Sequence, residues 1–416
     1  MKFRKLTAAL LSALLLIAAL TGCKNTAVSE TGDPSASPAA SDEAAPDEAT
    51  PDAAATDNAA PDDADPAGEE TSSGLTLNAA NAAAAFDPDE IIMTVNGREY
   101  DWQKFFYLIN YYVNYLQYYN GELKTWDDTV MDGSKARDYI MDHSTDWALY
   151  DAAIRINAEK LGVELTEQDN AEIDESIQQT VERYGGSEGF EEQLKANFCT
   201  PELFREISET TALANKVFAE LYGEHGEKLT DEEVAEYTAQ DGYLMAKHIL
   251  ILTTKTDDEG NEVALEGDEL AAARAKIDDI KAQLDACPPD QLDAKFDELM
   301  TEFSEDPGTE SFPGGYLFQD GNMVKEFEDA TKALEIGGYS DVVETDYGFH
   351  IIYRLPVDYD AVPSAYAYMQ SGDEEYTLRY VTALGQFDSV VAAWQDSLDA
   401  TYGDAYGKID LEKMFA

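Results

Sequence analysis

Basic residues are scarce in this chain: 28 Lys and Arg stand against 85 Asp and Glu, a formal charge of −57. Nucleic acid and anionic membrane surfaces are gripped through Lys and Arg clusters, so neither is expected as a partner. Cysteine is scarcer, with three residues in 416. Cys199 and Cys287 lie far apart, and two distant thiols imply no disulfide framework. The one long apolar run, "LTAALLSALLLIAAL", follows the basic "MKFRK" directly and is too short and too early for an ordinary membrane span. Histidine numbers four, and no short ligand spacing of the metal-binding kind accompanies it. No metal and no cofactor is expected. Two of the four, His248 and His350, nevertheless sit inside apolar runs, "LMAKHILIL" and "GFHIIYRL".

What is present begins with an address. "LTGC" closes the apolar run, and small residues before a cysteine at that place match the bacterial lipobox. The resemblance implies a lipoprotein signal peptide over residues 1–22, cleavage before Cys23, lipid on Cys23, and an extracytoplasmic location held to the cell membrane. Each buried CH2 of an acyl chain supplies about 0.8 kcal/mol, so a multiply acylated Cys needs no transmembrane helix. Residues 23–86 are rich in Ala, Pro, Asp, Glu, Ser and Thr and poor in aromatics. Such a segment buries too little to offset its ordering entropy, and it is expected to be a disordered acidic tether.

Order is expected from "PDEIIMTVNGREYDWQKFF" onward, where Asn96-Gly97 gives the strongest two-residue hairpin signal. Phe105, Ile109, Tyr112, Leu116 and Tyr119 follow at helical spacing. Thr230 with Glu233 fits a capping box, and Thr166 with Asp169 a weaker one. Residues 87–241 therefore read as a helical domain with no catalytic spacing of its own. Over 242–357 the pattern becomes β-α-α-β-α-β-β. Tyr380, Leu384, Phe387, Val391, Trp394 and Leu398 then step by four and three, an apolar seam that lets the tail, 358–416, pack on the helical domain. The fold class is α+β.

Alternate residues share a strand face, so His248 goes with Ala246, Leu250 and Leu252, and His350 with Ile352. "AKHILI", "FSEDPG", "GNMVKEFEDA" and "YSDVVETDYGFHIIYRLP", in that order and spacing, resemble the parvulin (PpiC-type) family of peptidyl-prolyl isomerases. With the lipobox and the helical flanks, the whole is similar to PrsA-type foldase lipoproteins with a SurA-like, chaperone-type N-terminal region. The resemblance implies a four-stranded sheet with surrounding helices. It carries the family's paired histidines onto His248 and His350, and an acidic position onto Asp306. The residues that grip proline fall on Met323 and Phe327, four apart on one helix face, and a pocket-rim position falls on Tyr347. The family's usual "GGDLGWF"-like segment is here "PGGYLF", leaving Leu317 and Phe318 as alternatives for the pocket wall.

The implied activity is cis–trans isomerisation of X-Pro bonds in exported, unfolded or folding proteins. The loop "TTKTDDEGNEVALEGDE" is acidic where phosphate-selective relatives are basic, so unphosphorylated clients are expected. Asp306 is either an electrostatic group facing the substrate or a turn residue of Asp-Pro-Gly. A non-catalytic holdase that uses the same fold as a platform is the alternative function. A homodimer is a further possibility.

Overall fold

The computed structural model describes residues 79–121, 123–257, 259–369 and 375–415. Cys23 and the greater part of the acidic segment lie outside them. The chain divides into two compact units: 79–224 with 384–415, and 225–383.

The first unit begins with α1 (Ala79–Ala85), then β1 (Ile91–Val95) and β2 (Arg98–Asp101), a hairpin whose turn residues Asn96 and Gly97 both have positive φ, 47° and 86°. Positive φ at both central positions is the turn that matches the twist of paired strands. Asp101 ends β2 and accepts the N–H of Lys104 at 2.9 Å, capping α2 (Trp102–Asn120). Phe105, Ile109, Tyr112 and Leu116 of α2 are buried as their spacing predicts, but Tyr119 is 54% exposed. The last turn overruns the core, and Tyr119 instead packs on Tyr115 and Tyr118, ring centroids 4.6 and 4.9 Å away.

Next come α3 (Ala136–Leu161), α4 (Glu167–Arg183), α5 (Ser187–Ala196) and α6 (Pro201–Tyr222). Thr166 and Asp169 form the full capping box of α4. The fully buried Asp151 of α3 binds Arg98 (2.7 Å), Arg155 (2.8 Å), Tyr100 Oη (2.7 Å) and Thr210 Oγ1 (2.6 Å), locking the hairpin to α3 and α6. Burial pushes that carboxyl up, yet the two guanidinium groups and the Thr210 hydroxyl hold it below its ordinary value.

In the second unit, α7 (Asp231–Tyr237) opens on the Thr230–Glu233 capping box. After it come β3 (Leu244–Leu252), β4 (Thr254–Thr256), β5 (Glu262–Ala264), α8 (Gly267–Asp285), α9 (Leu292–Phe303), β6 (Tyr316–Phe318), α10 (Lys325–Ala333), β7 (Val343–Glu344) and β8 (Gly348–Leu355). The main sheet has the order β6-β3-β8-β7, every pair antiparallel. Ile249, Ile251, Phe349 and Ile351 pack on one face against Ile277, Ile280, Phe296 and Leu299 of α8 and α9. Leu244, Ala246, Phe318 and Ile352 pack on the other against Phe327 of α10. Strands covered on both faces need apolar residues throughout, which is why β3 and β8 read as unbroken runs.

The β4–β5 hairpin falls where the sequence suggested only a charged loop. Asp257 Oδ1 accepts the N–H groups of Glu259 and Asn261, each at 2.9 Å, and closes a turn that has no apolar alternation to announce it. Gly348, at φ 153°, begins β8 where a Cβ would lie 2.2 Å from the Ile251 carbonyl oxygen, so no side chain is tolerated there.

The chain closes with α11 (Leu378–Asp396), β9 (Ala400–Tyr402) and α12 (Leu411–Met414). β9 pairs with β1 to complete a three-stranded sheet, β2-β1-β9. The sequence placed boundaries at 241/242 and 357/358, whereas the compact units divide at 224/225 and 383/384. Arg379 accounts for the wider second unit. It donates to the Leu229 carbonyl (2.7 Å), Asp231 (2.7 Å) and Asp360 (2.6 Å), tying both flanks of the unit together. From Leu384 onward α11 belongs to the first unit, where Phe387 packs on Phe218 and Tyr222 of α6. Leu398 lies past the end of the helix, so the seam is shorter than its spacing suggested.

Candidate active site

Register brings the two histidines together. His248 of β3 pairs with Ile352 of β8, and Leu250 pairs with His350, so both imidazoles leave the same face of adjacent strands. Their Nδ1 atoms are 3.0 Å apart and the rings are stacked at 13°. Asp306 arrives because β6 covers only the first three residues of β3. Beyond it the open edge is taken by residues 304–306: Glu305 N–H donates to the Leu250 carbonyl (2.8 Å), and Ser304 Oγ accepts the Leu250 N–H (3.2 Å). Asp306 Oδ2 then lies 2.8 Å from His248 Nε2.

Hydrogen-bond chemistry sets the direction of this chain with both imidazoles neutral. A carboxylate only accepts, so His248 carries its hydrogen on Nε2 and accepts at Nδ1. His350 must then donate from Nδ1, leaving its Nε2 to accept from Thr345 Oγ1 at 2.8 Å. Thr345 Oγ1 in turn accepts the Tyr347 N–H at 3.1 Å. At the other end Tyr316 Oη donates to Asp306 Oδ2 (2.7 Å), and Gly308 N–H to Oδ1 (3.0 Å). Burial pushes the Asp306 carboxyl up, but the hydrogen bond and charge of His248, with Tyr316 and the Gly308 amide, hold it down to about 2. Burial, and secondarily the neighbouring His248, lowers His350 to about 3.

An apolar wall stands beside the imidazoles. The Phe327 ring meets His248 edge-on at 5.2 Å and His350 at 5.9 Å, and Phe318 lies 5.8 Å from Phe327. Alternation along β6 decides between the two wall candidates. Phe318 and Tyr316 pair with Leu244 and Ala246 on the histidine face, whereas Leu317 pairs with Met245 and is buried on the opposite side. Met323 packs on the same cluster as Phe327, but it does not share a helix with it, since α10 begins only at Lys325. The buried carboxylate of Glu328 explains the difference by accepting the N–H groups of Gly321 (2.6 Å) and Met323 (3.0 Å), which holds this segment as a loop. Tyr347 is 43% exposed in the turn before β8.

Thr345, Tyr316 and Glu328 are the site residues that sequence reasoning passed over. Thr345 stands five positions before His350 in the very block that carries the resemblance, and Tyr316 in the segment that departs from it. The inner imidazole nitrogens face each other and the outer ones are engaged by Asp306 and Thr345, so no set of lone pairs converges. Among the described residues no group of three or more His, Cys, Asp or Glu is placed to hold a metal ion. A cleft of about 440 Å³ in the first unit, lined by residues including Trp126, Arg137, Met141 and Ile409, contains no comparable chain of groups.

Residues 248–355 match the family model for the rotamase, PPIC-type PPIase domain. The unit built around the histidine pair is thus a PPIC-type peptidyl-prolyl isomerase domain. The chain is also homologous to foldase proteins PrsA. It is 34% identical over 184 residues to that of Geobacillus kaustophilus, covering 43% of this chain and 53% of the relative. To that of Staphylococcus aureus strain bovine RF122 / ET3-1 it is 29% identical over 192 residues, covering 45% and 53%. The chain therefore spans about half the length of the curated relatives it matches. The solved structure of PrsA from Bacillus anthracis aligns over 60% of this chain and 93% of its own, at 20% identity and a TM-score of 0.21.

Proposed function

We propose that the chain is an extracytoplasmic foldase, held to the membrane through lipid on Cys23, that catalyses cis–trans isomerisation of X-Pro bonds in exported proteins. The observation that carries this reading is the buried His248–His350 pair, hydrogen-bonded at both ends and set against the Phe327–Phe318 wall.

Rotation about an X-Pro bond is opposed by roughly 18–20 kcal/mol because twisting destroys amide resonance. No bond breaks, so the site has only to hold the twisted amide better than the planar one. Each 1.36 kcal/mol of that preference is about tenfold in rate. Phe327, Phe318 and Met323 supply an apolar seat for the pyrrolidine ring while the preceding carbonyl swings. Asp306 already accepts from His248, Tyr316 and the Gly308 amide. Its charge is therefore directed at holding the histidine chain more than at the substrate carbonyl, and the histidines orient the floor of the pocket instead of transferring protons.

The holdase reading has its own support in Tyr118 and Tyr119, which leave large apolar rings exposed at the end of α2. One experiment separates the two. The full chain is assayed for isomerisation of X-Pro peptides and for suppression of client aggregation, beside Phe327→Ala. The proposal expects isomerisation in the wild type, a loss of tenfold or more in the variant, and unchanged suppression in both. A wild type that suppresses aggregation but isomerises none of several peptides leaves the holdase.

A further inference from the structure

Tyr316 occupies the segment where this sequence leaves its family's pattern, and four observations converge on its hydroxyl. Tyr316 Oη is 2.7 Å from Asp306 Oδ2, the same oxygen that takes the His248 Nε2–H. The Tyr316 ring also meets His248 edge-on at 5.6 Å and lies 4.7 Å from Phe312, so its direction is fixed by packing. β6 sets it on the histidine face opposite Ala246. The approach further depends on Gly308, because a Cβ there would lie 1.9 Å from Tyr316 Oη. A tyrosine and a glycine eight residues apart are thus matched to one contact.

We propose that Tyr316 is a positioning residue: by donating to the same Asp306 oxygen that takes the His248 Nε2–H, it holds that carboxylate in place and draws off part of its charge. This rests on the isomerase reading of the site, but its decisive readout does not require activity. A phenol, buried and beside a carboxylate, has its own ionisation raised, so it donates at every working pH. With the hydroxyl in place, part of the carboxylate charge is spent on it, and Asp306 pulls less strongly on a proton at the histidines. Without it, the same carboxylate stabilises a positive charge on His350 more, and that imidazole's ionisation rises. An imidazolium at His350 would donate from both nitrogens, so that Thr345 Oγ1 would have to accept where it now donates. The groups facing Asp306 are His248 from β3, Tyr316 from β6 and, through His248, His350 from β8. Phe327 of α10 presents an uncharged ring to the pair, and Glu305 is occupied by Lys276 at 2.6 Å and the Leu252 N–H at 2.8 Å.

The test is imidazole ¹⁵N NMR of the full chain labelled at its four histidines, as a function of pH, in wild type and Tyr316→Phe. The phenylalanine keeps the ring contacts and removes only the donor. The wild type should show His248 protonated on Nε2 and His350 on Nδ1. The variant should move the His350 midpoint upward, and the acidic limb of its isomerisation profile should move with it. Gly308→Ala, which displaces the hydroxyl by a different route, should reproduce the shift and guards against a misfolded Tyr316→Phe. Titrations identical to wild type in a folded variant overturn the role of Tyr316. An inactive wild type whose histidines still shift as expected overturns the isomerase reading and leaves the positioning role standing.

Discussion

His350 is almost wholly buried, with one nitrogen on His248 and the other on Thr345. Its conjugate acid is disfavoured by burial first and by His248 second, down to about 3. A folded value below the unfolded one means that the unfolded chain binds the extra proton first. The sign follows: the contribution is complete well above pH ~6.5, where neither state is protonated, and stability is lost as pH falls through ~6.5 toward ~3. Between pH 6.5 and 5 the loss from this one group is about 1.6 kcal/mol, a little under the full slope of roughly 1.36 kcal/mol per unit because the unfolded imidazole is only half protonated at the start. Asp306, held down to about 2, adds its own loss only lower, between about pH 4 and 2. Urea midpoints of the wild type should therefore fall across pH 6.5–5, and His350→Gln should flatten that slope. A variant as steep as wild type would show that His350 is not the group responsible. At this scale the sequence singled out His248, His350, Phe327 and Asp306, which the fold brings side by side, because each sits in a block whose order and spacing are distinctive. Tyr316 was not legible for a physical reason. Its role depends on a loop contact with Asp306, and neither periodicity nor pattern reports which hydroxyl a turn will bring within 2.7 Å.

Elements were legible wherever local chemistry and periodicity agreed. The Asn96-Gly97 hairpin and both capping boxes stand where the sequence put them, since a turn and a cap are decided within four residues. Met323 was misplaced onto a helix because spacing by four says nothing of a buried Glu328 that captures the preceding amides. The seam of α11 is a third case, partly right. Phe387 is fully buried between Phe218 and Tyr222, at 5.5 and 6.5 Å, whereas Trp394 is only half-buried near the end of the helix. Equal spacing thus conceals unequal burial. Phe387→Ala should cost about 3–5 kcal/mol, the range for emptying a packed aromatic site. Trp394→Ala should cost clearly less, because part of its surface already meets water. Chemical denaturation of the two variants compares them directly, and equal losses would mean that the seam is uniform after all.

At the scale of the whole molecule the governing quantity is charge. At −57 the chain is repelled by anionic bilayers, so electrostatics opposes membrane association. Among the described residues no helix is long and apolar enough to cross a membrane. The attachment proposed is lipid on Cys23, which lies outside the described residues and whose case is the "LTGC" motif behind the apolar run. Acyl insertion at about 0.8 kcal/mol per CH2 holds stably once two chains are present, and it is insensitive to salt because no charge is involved. The two modes of attachment are therefore separable. The wild type should stay with membranes through high-salt and alkaline washes and leave them in detergent. Cys23→Ala should appear in the soluble fraction with the same circular dichroism and the same isomerisation rate, since Cys23 lies far ahead in sequence of the described residues, which begin at Ala79. Persistence of Cys23→Ala on washed membranes would defeat the anchor, and the source of attachment would have to be sought in the folded units themselves.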